Sequence, residues 1–382
     1  MKSIHAGVLA LAVLIAGTAC STSKSDDSAG AAELRPGELL TSRTVDGSVA
    51  LPSAARTELV TYVSQDAAGK PVVVSGTVAI PRTPPPSGGY PVISWAHGTT
   101  GVADGCAPSA DFPGGPTHDY ITEMDTSLND WVAKGYVVAS TDYEGLGTPG
   151  IHPYVNGVTE VNAVTDIVRA ARHTDSSVGS TWFAIGHSQG GQAALFTAAQ
   201  GPKRAPELHL AGAVAIAPGS GFDQVVRYFA AGTPGAEVAE PFLPLILLGA
   251  QAADPALDPS RWVTQDAQPL LSAGKVDCID ALRKVTPVPA DRIFRTDADL
   301  GPLTAYLVQQ DPGRLHLSVP TMLAQSAGDA VISKASTDLL VKTLRDNGNT
   351  VDYREYQGAD HRGTVGVSLQ DAESFVARAL GH

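Results

Sequence analysis

Residues 186–190 read Gly-His-Ser-Gln-Gly, a G-x-S-x-G pentapeptide centred on Ser188. Such a serine can supply a nucleophilic hydroxyl, and its glycines permit a turn too sharp for Cβ atoms on both flanks. The pentapeptide follows an apolar run at 182–185 and precedes a helix-compatible run at 192–200. Ser188 is therefore expected on a strand-to-helix turn, with its hydroxyl above the end of a sheet. A serine hydroxyl is a weak nucleophile until a base accepts its proton, and the base must itself be held by an acid.

With a nucleophile on this kind of turn, the order along the chain is serine, acid, histidine. Four histidines lie downstream: His209, His316, His361 and His382. His382 ends the chain, and His209 and His316 come ahead of any suitable acid. His361, in the turn-rich Gln-Gly-Ala-Asp-His-Arg-Gly between the last strand and the last helix, is the expected base. Asp329, in Ser-Ala-Gly-Asp-Ala after a strand, is the expected acid. Asp360 is its rival, disfavoured because adjacent loop side chains diverge.

Two N–H donors must face the negative charge that develops on an attacked carbonyl. One is expected at Gln189, directly after the nucleophile. The other is expected in His97-Gly98-Thr99-Thr100-Gly101, which follows an apolar strand; Gly98 is preferred and Thr99 is the alternative. His97 and Thr99 are also pocket candidates, and His97 reads equally as a packed loop histidine. Asp142 and Tyr143 end another strand on the same edge and are expected to border the pocket, because ligands gather at the carboxyl ends of parallel strands. HExxH, CxxC and phosphate-loop patterns are missing from the sequence, so neither a metal nor another cofactor is expected.

These residues need a scaffold. Short runs rich in Val, Ile and aromatics at 59–63, 72–80, 92–96, 136–141, 182–185, 213–217, 321–325 and 351–356 predict strands. Helical spacing predicts helices over 123–134, 160–173, 192–200, 334–347 and 369–380. The alternation predicts an α/β fold with a sheet covered on both faces. Residues 221–317 break the rhythm, with helix-like pieces and the apolar run Pro241-Phe-Leu-Pro-Leu-Ile-Leu-Leu248. This stretch reads either as helical core or as an inserted cap whose apolar face lines a pocket, and the two are compatible.

The chain has 382 residues, and its 39 acidic against 26 basic residues give a net charge of −13, which argues against a nucleic-acid partner. Hydrophobic residues at 43% and charged residues at 17% are a globular balance. Residues 1–20 read as a signal peptide, with Lys2, an apolar core and a small-residue end. The run ending in Cys20 resembles the bacterial lipobox, apart from Gly17 where that box usually has Leu. A lipid anchor at Cys20 is expected, with plain secretion as the alternative, and 21–45 reads as a tether. Cys106 and Cys278 remain, and in an exported protein two thiols most simply pair.

HGTTG (97–101) with CAPS just after it, TDYEGLGTPG with HPY, GHSQGGQAALF, and the late Gly328-Asp329 and Asp360-His361 loops together resemble the secretory lipase family of α/β-hydrolases. Fungal lipase A-type enzymes and bacterial exported lipases or esterases belong to it. The resemblance runs from about Leu59 to the carboxyl end. It implies an α/β-hydrolase fold: a mostly parallel central sheet flanked by helices (46–220 and 318–382) with a helical cap inserted at 221–317. It also implies hydrolysis of a small ester or lipid by Ser188, Asp329 and His361 through an acyl-enzyme. The fungal relatives have an acidic residue where this chain has Gly98, so a backbone donor is expected here. They bridge a Cys after that loop to one in the cap, as Cys106 and Cys278 would. A serine peptidase, an acyltransferase and a non-catalytic binding lipoprotein are the competing readings, and acyl length is not legible.

Overall fold

The structure, a computed structural model, describes residues 34–381. The expected signal peptide, Cys20 and most of the tether lie outside the described residues. The chain begins with β1 (Leu39–Val45), β2 (Ala54–Gln65) and β3 (Pro71–Pro81). It then alternates through β4 (Tyr90–Ala96), α1 (His118–Ala133), β5 (Val137–Thr141), α2 (Gly157–Thr174), β6 (Val178–His187), α3 (Gln189–Arg204) and β7 (His209–Ile216). The helices α4 (Phe222–Ala230), α5 (Leu243–Ala253), α6 (Gln268–Gly274), α7 (Ile279–Leu282) and α8 (Gly301–Gln309) follow. The chain closes with β8 (Thr321–Ser326), α9 (Lys334–Asp346), β9 (Asp352–Tyr356) and α10 (Gly363–Ala379).

All nine strands form one sheet in the order β1-β2-β3-β5-β4-β6-β7-β8-β9. Pairing is antiparallel from β1 to β5 and parallel from there to β9. Strand pleating explains the two-sided core. Val92, Ala96, Trp182 and Ala184 pack with Ala163, Val164 and Ile167 of α2 on one face. Their neighbours Ile93, Trp95, Phe183 and Ile185 pack with Met124 and Trp131 of α1 and Phe375 of α10 on the other. Each of the larger aliphatic and Phe side chains contributes about 1.5–3 kcal/mol by leaving water, and together the two faces hold the strand ends in fixed register.

That register converges the chemistry. Ala96 lies opposite both Thr141 and Gly186, Ile216 opposite His187 and Ala324, and Ser326 opposite Tyr356. The loops carrying HGTTG, the pentapeptide, Asp329 and His361 thus leave the sheet at one end. Residues 39–45, expected as the end of a tether, instead form β1. The strand is mostly exposed, and its Ser42 and Thr44 hydroxyls donate to Glu58 on β2 at 2.8 and 3.0 Å.

Between β7 and β8 the segment has its own core, including Val226, Phe229, Leu245, Leu248, Trp262, Ile293, Leu303 and Leu307. Leu243 to Ala250 of α5 are all buried. Helices and short 3-10 turns make up this segment, with a single antiparallel bridge between Val263 and Phe294.

Candidate active site

Ser188 sits between β6 and α3 at φ 58° and ψ −115°, a left-handed conformation that a non-glycine residue adopts only under constraint. The constraint is visible: its N–H donates to Ile216 O at 2.9 Å, and its carbonyl accepts from Gly219 and Gln192 at 2.9 and 3.1 Å. The flanking glycines are required by contact. A Cβ on Gly186 would stand 2.1 Å from Gly190 O, and one on Gly190 would stand 1.8 Å from Ala96 O. The turn is thus wedged against the β4 end, beside the HGTTG loop.

His361 Nδ1 donates to Asp329 Oδ2 at 2.7 Å. Asp329 Oδ1 accepts the N–H groups of Val331 and Ile332, each at 2.8 Å. Burial alone would raise this carboxyl, but the hydrogen bond and charge of His361 and the two backbone N–H groups outweigh it and hold the group below its ordinary range. Asp360 faces elsewhere, accepting Gly363 N–H at 2.8 Å at the start of α10. Ser188 and His361 line one small cavity of about 20 Å³, with Gly98, Thr99, Tyr120 and His187 among its walls.

A buried chain of hydrogen bonds ties these loops together. Gly98 N–H donates to Tyr120 Oη at 2.6 Å, Tyr120 Oη lies 3.2 Å from His187 Nδ1, and His187 Nε2 lies 3.0 Å from His361 O. Burial, with the His361 charge adding to it, pushes the His187 imidazole well below its usual range. Neutral His187 then accepts from the tyrosine and donates to His361 O.

The preferred expectation for the second oxyanion donor is corrected here. The Gly98 N–H is already spent on Tyr120, which leaves its neighbour Thr99. Among the described residues the N–H groups of Thr99 and Gln189 donate to no protein acceptor. The Gln189 side chain points down, with Nε2 at 2.9 Å from Glu160 Oε1 and 2.8 Å from His152 Nε2. Burial raises the Glu160 carboxyl to about 8, and burial lowers the His152 imidazole to about 3. Both shifts favour the uncharged form of the group in the floor under the turn.

Three expected pocket residues do not border the Ser188 cavities. His97 is buried, with Nδ1 at 2.6 Å from Gly98 O and Nε2 at 3.3 Å from Asp142 O. The Asp142 carboxylate accepts Ser75 Oγ at 2.6 Å and Ser109 N at 2.8 Å, fastening the loop after HGTTG to the sheet. Tyr143 is buried and donates to His97 O at 2.9 Å. These are loop anchors; tertiary partners the sequence does not display claimed their polar atoms. Thr99 does line the cavity.

A second cavity, about 240 Å³, is bordered by Ser188 and Gln189 and by residues of the segment between β7 and β8. Its walls are largely apolar and include Phe222, Val225, Phe242, Ile246, Val331 and Ile332. Cys106 and Cys278 form a disulfide, so α7 is tied to the loop after HGTTG, where Ile279 N–H also donates to Thr100 O at 2.8 Å. Among the described residues no three His, Cys, Asp or Glu side chains group to hold a metal ion.

In sequence, the chain matches the secretory lipase family over residues 116–373. It belongs to the secretory lipase family. This secretory lipase is accordingly a carboxylic ester hydrolase. Its fold is similar to that of lipase A from Candida antarctica in its closed state, at 18% identity, covering 91% of this chain and 82% of that one, with a TM-score of 0.74. It is also similar to the rice cell wall degrading esterase LipA from Xanthomonas oryzae, at 19% identity, 90% and 97% coverage and TM-score 0.69. A putative hydrolase from Legionella pneumophila matches at 18% identity, 88% and 98% coverage and TM-score 0.71. These likenesses establish the α/β-hydrolase fold of this secretory lipase. Among curated proteins none matches it in sequence.

Several residues at the secretory lipase site escaped the sequence reading: Tyr120, His187, His152, Glu160, Arg283 and Arg362. His187 stands inside the pentapeptide and could have been questioned there. Glu160 gave a weak signal as a charge among apolar neighbours of a helix. Tyr120 and the two arginines gave none, since only the fold brings them in.

Proposed function

We propose that this secretory lipase is an exported serine carboxylester hydrolase in which Ser188, His361 and Asp329 act as a triad through an acyl-enzyme. The observation that carries the reading is the 2.7 Å His361–Asp329 hydrogen bond at a cavity wall shared with a strained Ser188. With Nδ1–H donating to the carboxylate, the lone pair of His361 sits on Nε2, the atom free to take a proton. Ser188 Oγ attacks the ester carbonyl as His361 accepts its proton. The N–H groups of Gln189 and Thr99 receive the oxyanion. The alcohol departs with the proton from His361. Water, deprotonated by the same imidazole, then releases the acid. The 240 Å³ apolar cavity suits the acyl portion.

Steady-state hydrolysis of nitrophenyl esters by Ser188→Ala tests the assignment. The variant should keep its fold and lose activity on the order of 10⁶-fold. Retention of wild-type turnover would end it. Membership of a secretory family and an intrachain disulfide support export. A lipid anchor at Cys20 rests on the sequence alone. Metabolic labelling with an alkynyl fatty acid should mark the wild type and not Cys20→Ala, and an unlabelled, medium-released wild type would show plain secretion instead.

A further inference from the structure

We propose that the leaving-group side of the site selects esters whose alcohol portion carries an anion, bound by Arg283 with Arg362 beside it. The inference deepens the triad reading above, in which His361 protonates the departing alcohol. The small cavity shared by Ser188 and His361 has Arg283 and Arg362 in its wall and no Asp or Glu. Arg283 also reaches the wall of the larger cavity, which holds no carboxylate either. In a chain of net charge −13 this is a local reversal of sign.

Carboxylates offset part of this charge only from outside the two cavities at Ser188: Glu237 and Glu240 share a separate cavity of about 80 Å³ with Arg283. Asp280 accepts from Arg362 Nη2 with both oxygens, at 2.9 and 3.2 Å, and stands 3.9 Å from Arg283 Nε. Asp280 lies outside the cavity wall, so the two arginines meet no carboxylate on the side that faces Ser188. Glu123, which feels the Arg362 charge, also lies outside the cavity wall. The remaining partner of Arg283 is the Phe242 ring, 5.2 Å from Cζ, which leaves the guanidinium edge free for hydrogen bonds. The Arg283 backbone is fixed in place: its main-chain N–H donates to Ile279 O at 3.0 Å, and the start of α7 is held by the Cys106–Cys278 bridge.

The division of labour follows from the two cavities. The apolar one receives the acyl chain, and the cationic one, at the general acid, receives the alcohol. An ester of a hydroxycarboxylic acid and an acyl glycerol phosphate share the required chemistry, an anionic group on the alcohol portion.

The test compares kcat/KM for three butyryl esters: of glycolic acid, of glycerol phosphate, and of the neutral glycolamide. Wild type should prefer at least one anionic ester over the amide by about ten-fold. The preference should reside in KM and shrink at raised salt. Arg283→Gln should abolish it, Arg283→Lys should keep part of it, and Asp280→Asn, which releases a second guanidinium, should increase it. A preference for the phosphate alone or the carboxylate alone identifies the source of the anion. Equal rates for anionic and neutral esters in wild type, or a preference unchanged in Arg283→Gln, would overturn the proposal. Hydrolysis of the neutral ester without anion preference defeats this inference only. Inertness toward all three esters in a protein that hydrolyses nitrophenyl butyrate also defeats this inference, whereas inertness toward nitrophenyl esters of every acyl length defeats the triad reading itself.

Discussion

Asp329→Asn tests the orientation of His361 at the level of a single proton. The asparagine side chain fits the same space, but its two ends are no longer equivalent. Two backbone N–H groups, of Val331 and Ile332, point at one oxygen from 2.8 Å each. They require an acceptor there, so the amide oxygen must take that position and the NH2 group must face His361. The 3.2 Å contact from Gln325 Nε2 to the other oxygen opposes this orientation, but it is a single longer bond against two short ones. His361 Nδ1 must then accept, its proton moves to Nε2, and the atom needed to deprotonate Ser188 carries a hydrogen. Loss of the productive tautomer costs roughly 10⁴-fold in turnover, equivalent to about 5.5 kcal/mol of barrier. The assay is kcat on a soluble nitrophenyl ester, alongside a thermal melt to show that the fold persists. Asp360→Asn is the comparison and should stay within about two-fold, since asparagine also accepts the Gly363 N–H. A loss under ten-fold at position 329, or the large loss at position 360, would refute the orientation argument.

Gly190→Ala should prevent accumulation of folded protein or lower its melting temperature sharply, because the new Cβ meets Ala96 O at 1.8 Å; expression yield and a thermal melt decide it. Glu160→Gln should flatten the pH dependence of stability. The Glu160 carboxyl rises from 4.5 to about 8 on folding because burial disfavours its charge, so the native state holds a proton the unfolded state has lost. Wild type therefore loses stability as pH rises from about 4.5 to about 8, and the glutamine variant should lose less across that window in urea titrations at several pH values. Reduction of Cys106–Cys278, or replacement of both by Ser, should lower unfolding free energy by about 2–5 kcal/mol, since the bridge spans 172 residues. A urea midpoint indifferent to reductant would contradict this. Tyr120→Phe removes the acceptor of the Gly98 N–H and the donor to His187, and should lower kcat several-fold with little change in KM, read from the same ester assay.

The parts of the fold legible in the sequence are those governed by local pattern. The apolar run at 182–185 lies inside β6, and the histidine, the acid and the pentapeptide could be ordered along the chain because chain order reflects topology. What depends on tertiary partners was not legible. β1 has almost no apolar periodicity, being an exposed edge strand held by its ladder and by Glu58. α10 starts at Gly363, six residues before its periodic pattern, because Asp360 accepts the Gly363 N–H there. Gly98 and Thr99 are distinguished only by Tyr120, which arrives from a helix over twenty residues away. Asp142 has the position of a pocket residue, yet Ser75 and Ser109 occupy its oxygens.

The proposed chemistry requires Ser188 Oγ to be the atom that becomes acylated. Intact-protein and peptide mass spectrometry after treatment with an alkyl fluorophosphonate measures this most directly. One equivalent should bind, on the peptide containing Ser188, with hydrolysis lost in proportion and no adduct on Ser188→Ala. Full inhibition with the label on another residue, or undiminished ester hydrolysis by a protein fully labelled at Ser188, would contradict it.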